Sequence, residues 1–295
     1  MIAAAKDAHY LHKRLGLTAL VRPAVVRPRA LAWAEGDRLG ALAEDGTLHV
    51  AHPILGTRKL LGPDAPASGL AADGRRLLRV TEDGQWVVVE VCGTVVAHGE
   101  HPFQGAVAPL LVGERALIAG SIDGERHMLV FDGTRVTMRV QLPARAIPVL
   151  YDDGKVQLIQ ATKEGIERIE LGRGHRFSRG RPLPHQLRVY GSFVVGTTSR
   201  EVRVWKLRSG ELVHTVKAPS TLSSAAVTTD GEWLAMGDEE GSVAFHGIGS
   251  AAPPERITAC SGAVADLAFS DDNPWLASAA DGLVLWTWGS VIDRG

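Results

Sequence analysis

The chain has 295 residues, a formal net charge of −1, 45% apolar and 22% charged residues, a globular composition with no overall pull toward nucleic acid or an anionic membrane. No run approaches the ~20 apolar residues of a membrane helix, and Lys6, Asp7, His9, His12, Lys13 and Arg14 interrupt the N-terminal stretch where a secretory signal needs its apolar core. A cytoplasmic location is therefore expected, and two distant cysteines, Cys92 and Cys260, argue against a disulfide framework or a CxxC metal pair.

Residues 1–16 read as a basic arm: the first 29 residues sum to +5 and residues 30–295 to −6. Such an arm is a partly ordered tail or docks on acidic loops such as Asp238-Glu239-Glu240. From there on the chain repeats. Asp45-Gly46, Asp83-Gly84, Asp123-Gly124, Glu164-Gly165, Glu240-Gly241 and Asp281-Gly282 have glycines 38, 40, 41, 76 and 41 residues apart. The long gap holds a missing copy at Ser199-Arg200, which makes seven units. Asp-Gly between β-forming runs is a hairpin signal, since a type I′ turn needs positive φ and glycine supplies it without steric cost. A second turn series, Gly36-Asp37, Asp73-Gly74, Gly113-Glu114, Asp153-Gly154, Tyr190-Gly191, Asp230-Gly231 and Asp271-Asp272, keeps the same period.

Several short strands per unit of about forty residues are the signature of propeller blades. The expected fold is all-β, a single seven-bladed propeller over 17–295 with four antiparallel strands per blade and blades starting near 30, 67, 107, 147, 186, 223 and 262. Innermost strands such as Ser224 to Thr228 are rich in small residues. Third strands such as Trp86 to Val91 and Val202 to Leu207 are β-branched and aromatic, as strands buried between stacked sheets should be. The seventh unit stops soon after its third strand, so the run Leu17 to Val21 is expected to supply its outer strand and close the ring.

The last unit, SGAVADLAFSDDNPWLASAADGLVLW from Ser261, resembles a WD40 repeat, and VRVWKLRSGELVHTV from Val202 is similar to the end of another, with Trp205 and Trp286 in the tryptophan position. Cys260 stands where the family's blade histidine would be and no unit has its Gly-His pair. The resemblance therefore implies a divergent WD40-like propeller, without the buried Asp-His-Ser-Trp network and held by apolar packing. Asp83, Gly84, Asp123, Gly124, Asp281, Gly282, Trp205 and Trp286 are its structural residues.

Function is written less plainly. Between Glu170 and Glu201 there is no acidic residue, but there are Arg173, His175, Arg176, Arg179, Arg181, His185, Arg188 and Arg200. Arginines there could take carboxylates or phosphates bidentately, so Arg173, His175, Arg176, Arg179, Arg181 and Arg188 are candidate partner-binding residues beside the plainer reading of a solvated loop. Nucleic acid is disfavoured, because only Phe177 and Tyr190 accompany these arginines. His9 and His12, His49 and His52, and His98 and His101 have HxxH spacing, which on extended chain points to opposite faces and predicts no metal site; His98 and His101 are expected in a surface connection.

No nucleophile elbow, HExxH, phosphate loop or EF-hand is present. Asp266, the one carboxylate on an innermost strand, could line the central channel, but one carboxylate makes no acid/base pair. No catalytic residue, cofactor or metal is expected. The leading expectation is a non-catalytic platform for one or more proteins, engaged through an acidic segment, with the isolated chain monomeric and not bound to membrane. Alternatives are a regulator holding a protease or transcription factor inactive, and a propeller hydrolase or lyase at the channel mouth.

Overall fold

A computed structural model describes residues 17–143, 145–150, 156–163, 165–170, 186–271, 273 and 275–288. They form seven antiparallel sheets. Strand β1 (Leu17–Val26) is followed by the first blade, β2 (Pro28–Ala34), β3 (Arg38–Ala43), β4 (Leu48–His52) and β5 (Gly56–Leu61). The second holds β6 (Ala67–Asp73), β7 (Arg76–Thr81), β8 (Gln85–Glu90) and β9 (Val95–Glu100); the third, β10 (Gln104–Val112), β11 (Arg115–Ile122), β12 (Glu125–Asp132) and β13 (Arg135–Gln141). In the fourth, the described strands are β14 (Ile147–Leu150), β15 (Val156–Ala161) and β16 (Ile166–Glu170). The fifth holds β17 (Gln186–Tyr190), β18 (Phe193–Thr197), β19 (Glu201–Lys206) and β20 (Leu212–Lys217). The sixth is β21 (Leu222–Val227), β22 (Trp233–Asp238), β23 (Ser242–Gly247) and β24 (Glu255–Thr258); the seventh, β25 (Asp266–Phe269), β26 (Trp275–Ala279) and β27 (Gly282–Trp288).

The seventh sheet has the order β1-β27-β26-β25, with Leu17 opposite Trp288 and Leu20 opposite Leu285. The N-terminal strand thus completes the last blade and closes the ring, hiding two sheet edges.

The turns explain how the strands fold back. Ile122 pairs with Glu125, and Asp123 and Gly124 between them have φ of 52° and 83°, the two positive values of a type I′ turn. Asp83-Gly84 works differently. Only Gly84 has positive φ, at 90°, and Asp83 Oδ1 accepts from Thr81 Oγ1 at 2.7 Å. A Cβ on Gly84 would sit 2.6 Å from the His101 carbonyl oxygen, so glycine is required for both conformation and space. Asp281-Gly282 departs from the expected type I′ turn. Gly282 stays out of the left-handed region because it is already a ladder residue opposite Val26 of the closing strand.

Each of the seven seams between neighbouring blades has its own apolar cluster. Leu42, Leu48 and Val50 meet Leu77 and Val89 between the first and second blades. Trp86 packs on Phe131 at 4.9 Å between ring centroids in the next seam. Trp205 fills the seam between the fourth and fifth blades with Ile159 and Val194, and Trp286 the one between the sixth and seventh with Phe245 and Leu276. Leu39, Ala41 and Trp275 join the first blade to the last.

The implied loss of the whole Asp-His-Ser-Trp network needs correction. Trp286 Nε1 donates to Ser278 Oγ at 2.9 Å, so the Ser–Trp link survives. His101 also occupies a histidine-like place: its N–H donates to the Gly84 carbonyl at 2.6 Å, as that of Cys260 donates to the Gly241 carbonyl at 3.0 Å.

Candidate interaction site at the axial channel

The innermost strands β2, β6, β10, β14, β17, β21 and β25 surround the axis, and side chains from β17 reach across it. Arg188 spans from the fifth blade past the sixth to the seventh, where Nη1 donates to Asp266 Oδ1. The inner strand it passes carries Ser223, Ser224 and Ala225, whose small size leaves room for the guanidinium. Asp266 is buried, and its oxygens also accept from two backbone N–H groups, Leu31 at 2.8 Å to Oδ2 and Leu267 at 2.7 Å to Oδ1. Asp266 therefore binds the seventh blade to the first while Arg188 binds it to the fifth. Its carboxylate raises the Arg188 pKa further above the usual guanidinium value.

Tyr190, one turn of the pleat along the same strand, donates toward the carbonyls of Ala225 at 3.1 Å and Leu267 at 3.3 Å. Burial pushes its phenol up to about 12, opposed by the Arg188 charge and reinforced by that of Asp266. Trp33 Nε1 adds a bond to the Ala268 carbonyl at 2.9 Å. The channel is thus braced by polar side chains. Asp266 is buried and engaged on both oxygens, by Arg188 and Leu267 at Oδ1 and by Leu31 at Oδ2, as a structural anion.

Beside this brace a pocket opens in the seam between the fifth and sixth blades, lined by Gln186, Arg188, Val195, Thr197, Ser223, Ser224 and Ala225. Arg188 keeps 47% of its side-chain surface open although inner strands surround it, so the open part is channel surface. Gln186 is exposed at the start of β17, immediately after GRGHRFSRGRPLPH in the sequence.

Of the candidate partner-binding residues, only Arg188 falls among the described residues; Arg173, His175, Arg176, Arg179 and Arg181 lie outside them, as does the arm of residues 1–16. Among the described residues no group of three or more His, Cys, Asp or Glu could hold a metal ion. His52 Nδ1 is occupied, accepting from the N–H groups of Ile54 and Leu55 at 3.1 Å. His98 is exposed on β9, but His101 is buried rather than in a surface connection, with Nδ1 accepting from Phe103 N–H at 3.2 Å. Desolvation lowers its pKa.

Sequence reasoning missed two polar contacts. Arg79, buried, donates to the carbonyls of Gly46 and Gly62 at 3.1 Å each and to Asp64 at 2.6 Å, fastening the first blade's turn to the connection into the second. His214 and His246 place their Nε2 atoms 3.0 Å apart across the seam between the fifth and sixth blades. Arg188 and Asp266 did leave a signal: they lie on inner strands 78 residues apart, about two repeat lengths.

The family described as WD domain, G-beta repeat, matches residues 253–286, from just before β24 nearly to the end of β27. No curated protein sequence matches the chain. Among solved structures, the β-propeller domain of Cps50 (Swd1) from Myceliophteria thermophila is similar over 90% of this chain and 97% of that one, with a TM-score of 0.70 at 15% identity. The computationally designed protein Ika8 is similar over 91% of this chain and 98% of its own, with a TM-score of 0.62 at 18% identity. At these identities the likeness is one of fold. With seven sheets closed into one ring and one stretch matched by that family's model, the chain is a seven-bladed β-propeller that carries a WD40 repeat at residues 253–286.

Proposed function

We propose that this propeller is a non-catalytic docking platform in an assembly, and that its partner is a cytoplasmic protein presenting an acidic segment. The observation that carries this reading is the stretch between Glu170 and Glu201, which lacks carboxylates and leads its arginines directly into the inner strand at Gln186. A guanidinium fork suits carboxylates better than any other common side-chain group. The tied state of Asp266 supports a binding role over a hydrolytic one.

A tagged pull-down from native lysate, with nuclease and about 150 mM salt to screen distant charges, tests the proposal. A stoichiometric protein lost on Arg176→Glu, Arg179→Glu and Arg181→Glu supports it. A bare monomer, or a partner indifferent to the three reversals, contradicts it.

A further inference from the structure

We infer that the pocket between the fifth and sixth blades is an anchor for a single carboxylate side chain of the docked partner, held by the guanidinium of Arg188. The inference rests on the platform reading above and gives it a specific contact.

Gln186, Arg188, Val195, Thr197, Ser223, Ser224 and Ala225 line the pocket, and among them only Arg188 is charged. Asp266 pairs with it from the buried side: it is 1% exposed and also accepts from two backbone N–H groups, whereas Arg188 keeps open surface. Arg188 has five N–H donors; Nη1 donates to Asp266, and the guanidinium also hydrogen-bonds the Tyr190 side chain. With 47% of the side chain open, the rest of the fork can receive a second carboxylate.

Shape and surroundings agree. Val195 and Ala225 form an apolar wall that limits competing water, which strengthens an ion pair relative to one at the outer surface. The Gln186 amide, exposed beside the pocket, and the Thr197 hydroxyl provide neutral donors. Ser223 already donates to the Val264 carbonyl at 2.7 Å, which holds the wall in place. The pocket is small and polar, suited to a carboxylate tip rather than a large apolar group.

The test uses the full chain and a fluorescein-labelled, end-capped octa-aspartate peptide, with octa-asparagine as control, followed by fluorescence anisotropy at low salt. Octa-aspartate should bind and octa-asparagine should not. Gln186→Glu and Thr197→Asp each add a carboxylate at the pocket without touching Arg188 or Asp266, and should weaken binding about tenfold. Gln186→Lys should tighten it. Arg135→Glu, on the outer strand of the third blade, should change nothing, and matching melting curves show that the variants fold.

Equal affinity for wild type, Gln186→Glu and Thr197→Asp overturns the inference. If binding then falls only with Arg176→Glu, Arg179→Glu and Arg181→Glu, the platform stands and its carboxylates are taken by that run instead. If the peptide does not bind and the pull-down retains no partner, both readings fall.

Discussion

Trp286 in the third strand of the last blade donates its indole N–H to Ser278 Oγ in the second at 2.9 Å, both residues buried, whereas Trp86 has the same kind of burial and no partner for Nε1 among the described residues. The two tryptophans therefore separate packing from hydrogen bonding. Truncation to alanine should cost roughly 3–5 kcal/mol at Trp286, as at Trp205. Replacement by phenylalanine should cost about 1–3 kcal/mol more at Trp286 than at Trp86, because only there is a buried partner left unsatisfied. Denaturant melts of both variants check the difference.

Removing residues 1–24 deletes most of β1 and leaves β27 as an open edge. The truncated chain should melt at lower temperature and self-associate. Light scattering after size exclusion reads the association, and a stable monomer would mean that another strand can close the ring.

The pair His214 and His246 predicts a dependence on pH. Burial first, and the His214 ring second, lower the His246 pKa below its ordinary 6.5. The folded state thus binds a proton less readily than the unfolded chain. The associated stability is present above the unfolded pKa and declines as pH falls below it. The rings are stacked at 16° with Nε2 atoms 3.0 Å apart, so double protonation would set two donors against each other. Thermal melts from pH 7.5 to 5.5 should fall more steeply for the native chain than for His246→Gln.

The channel brace predicts a non-additive pair. Arg188→Met leaves Asp266 with its two backbone donors but without its counter-charge, and should destabilise by about 1–3 kcal/mol, reduced from a fully buried pair by the open side of Arg188. Asp266→Asn in that background should restore part of the loss. A double-mutant cycle that sums to zero coupling would show that the two residues do not act together.

The number of blades and the closing strand were legible because both rest on local rules: turn residues at one period, and a final unit one strand short. The direction of a turn was less so. Asp123-Gly124 and Asp281-Gly282 read alike, yet only the first uses positive φ, since Gly282 is drawn into pairing with Val26. His101 read as surface because its neighbours in AHGEHPF are polar, but the Gly84 carbonyl and Phe103 fix it inside. The brace was half legible. Asp266 stood out as a carboxylate on an inner strand and Arg188 as one of an arginine-rich stretch, but only closure of the ring brings strands two blades apart within reach.

The pairing of Leu17 with Trp288 sets an order on synthesis. The strand that precedes the first blade pairs with one in the seventh, so β1 waits for that partner through the making of six blades. Among the described strand pairings, loop-closure cost falls most on this one. Seam by seam, the interior can assemble as each blade appears, while completion of the seventh is postponed until β27 has been made. A nascent chain stalled before β27 would therefore carry an unsatisfied strand at one end and an uncovered blade face at the other, the state in which a chaperone would be most needed.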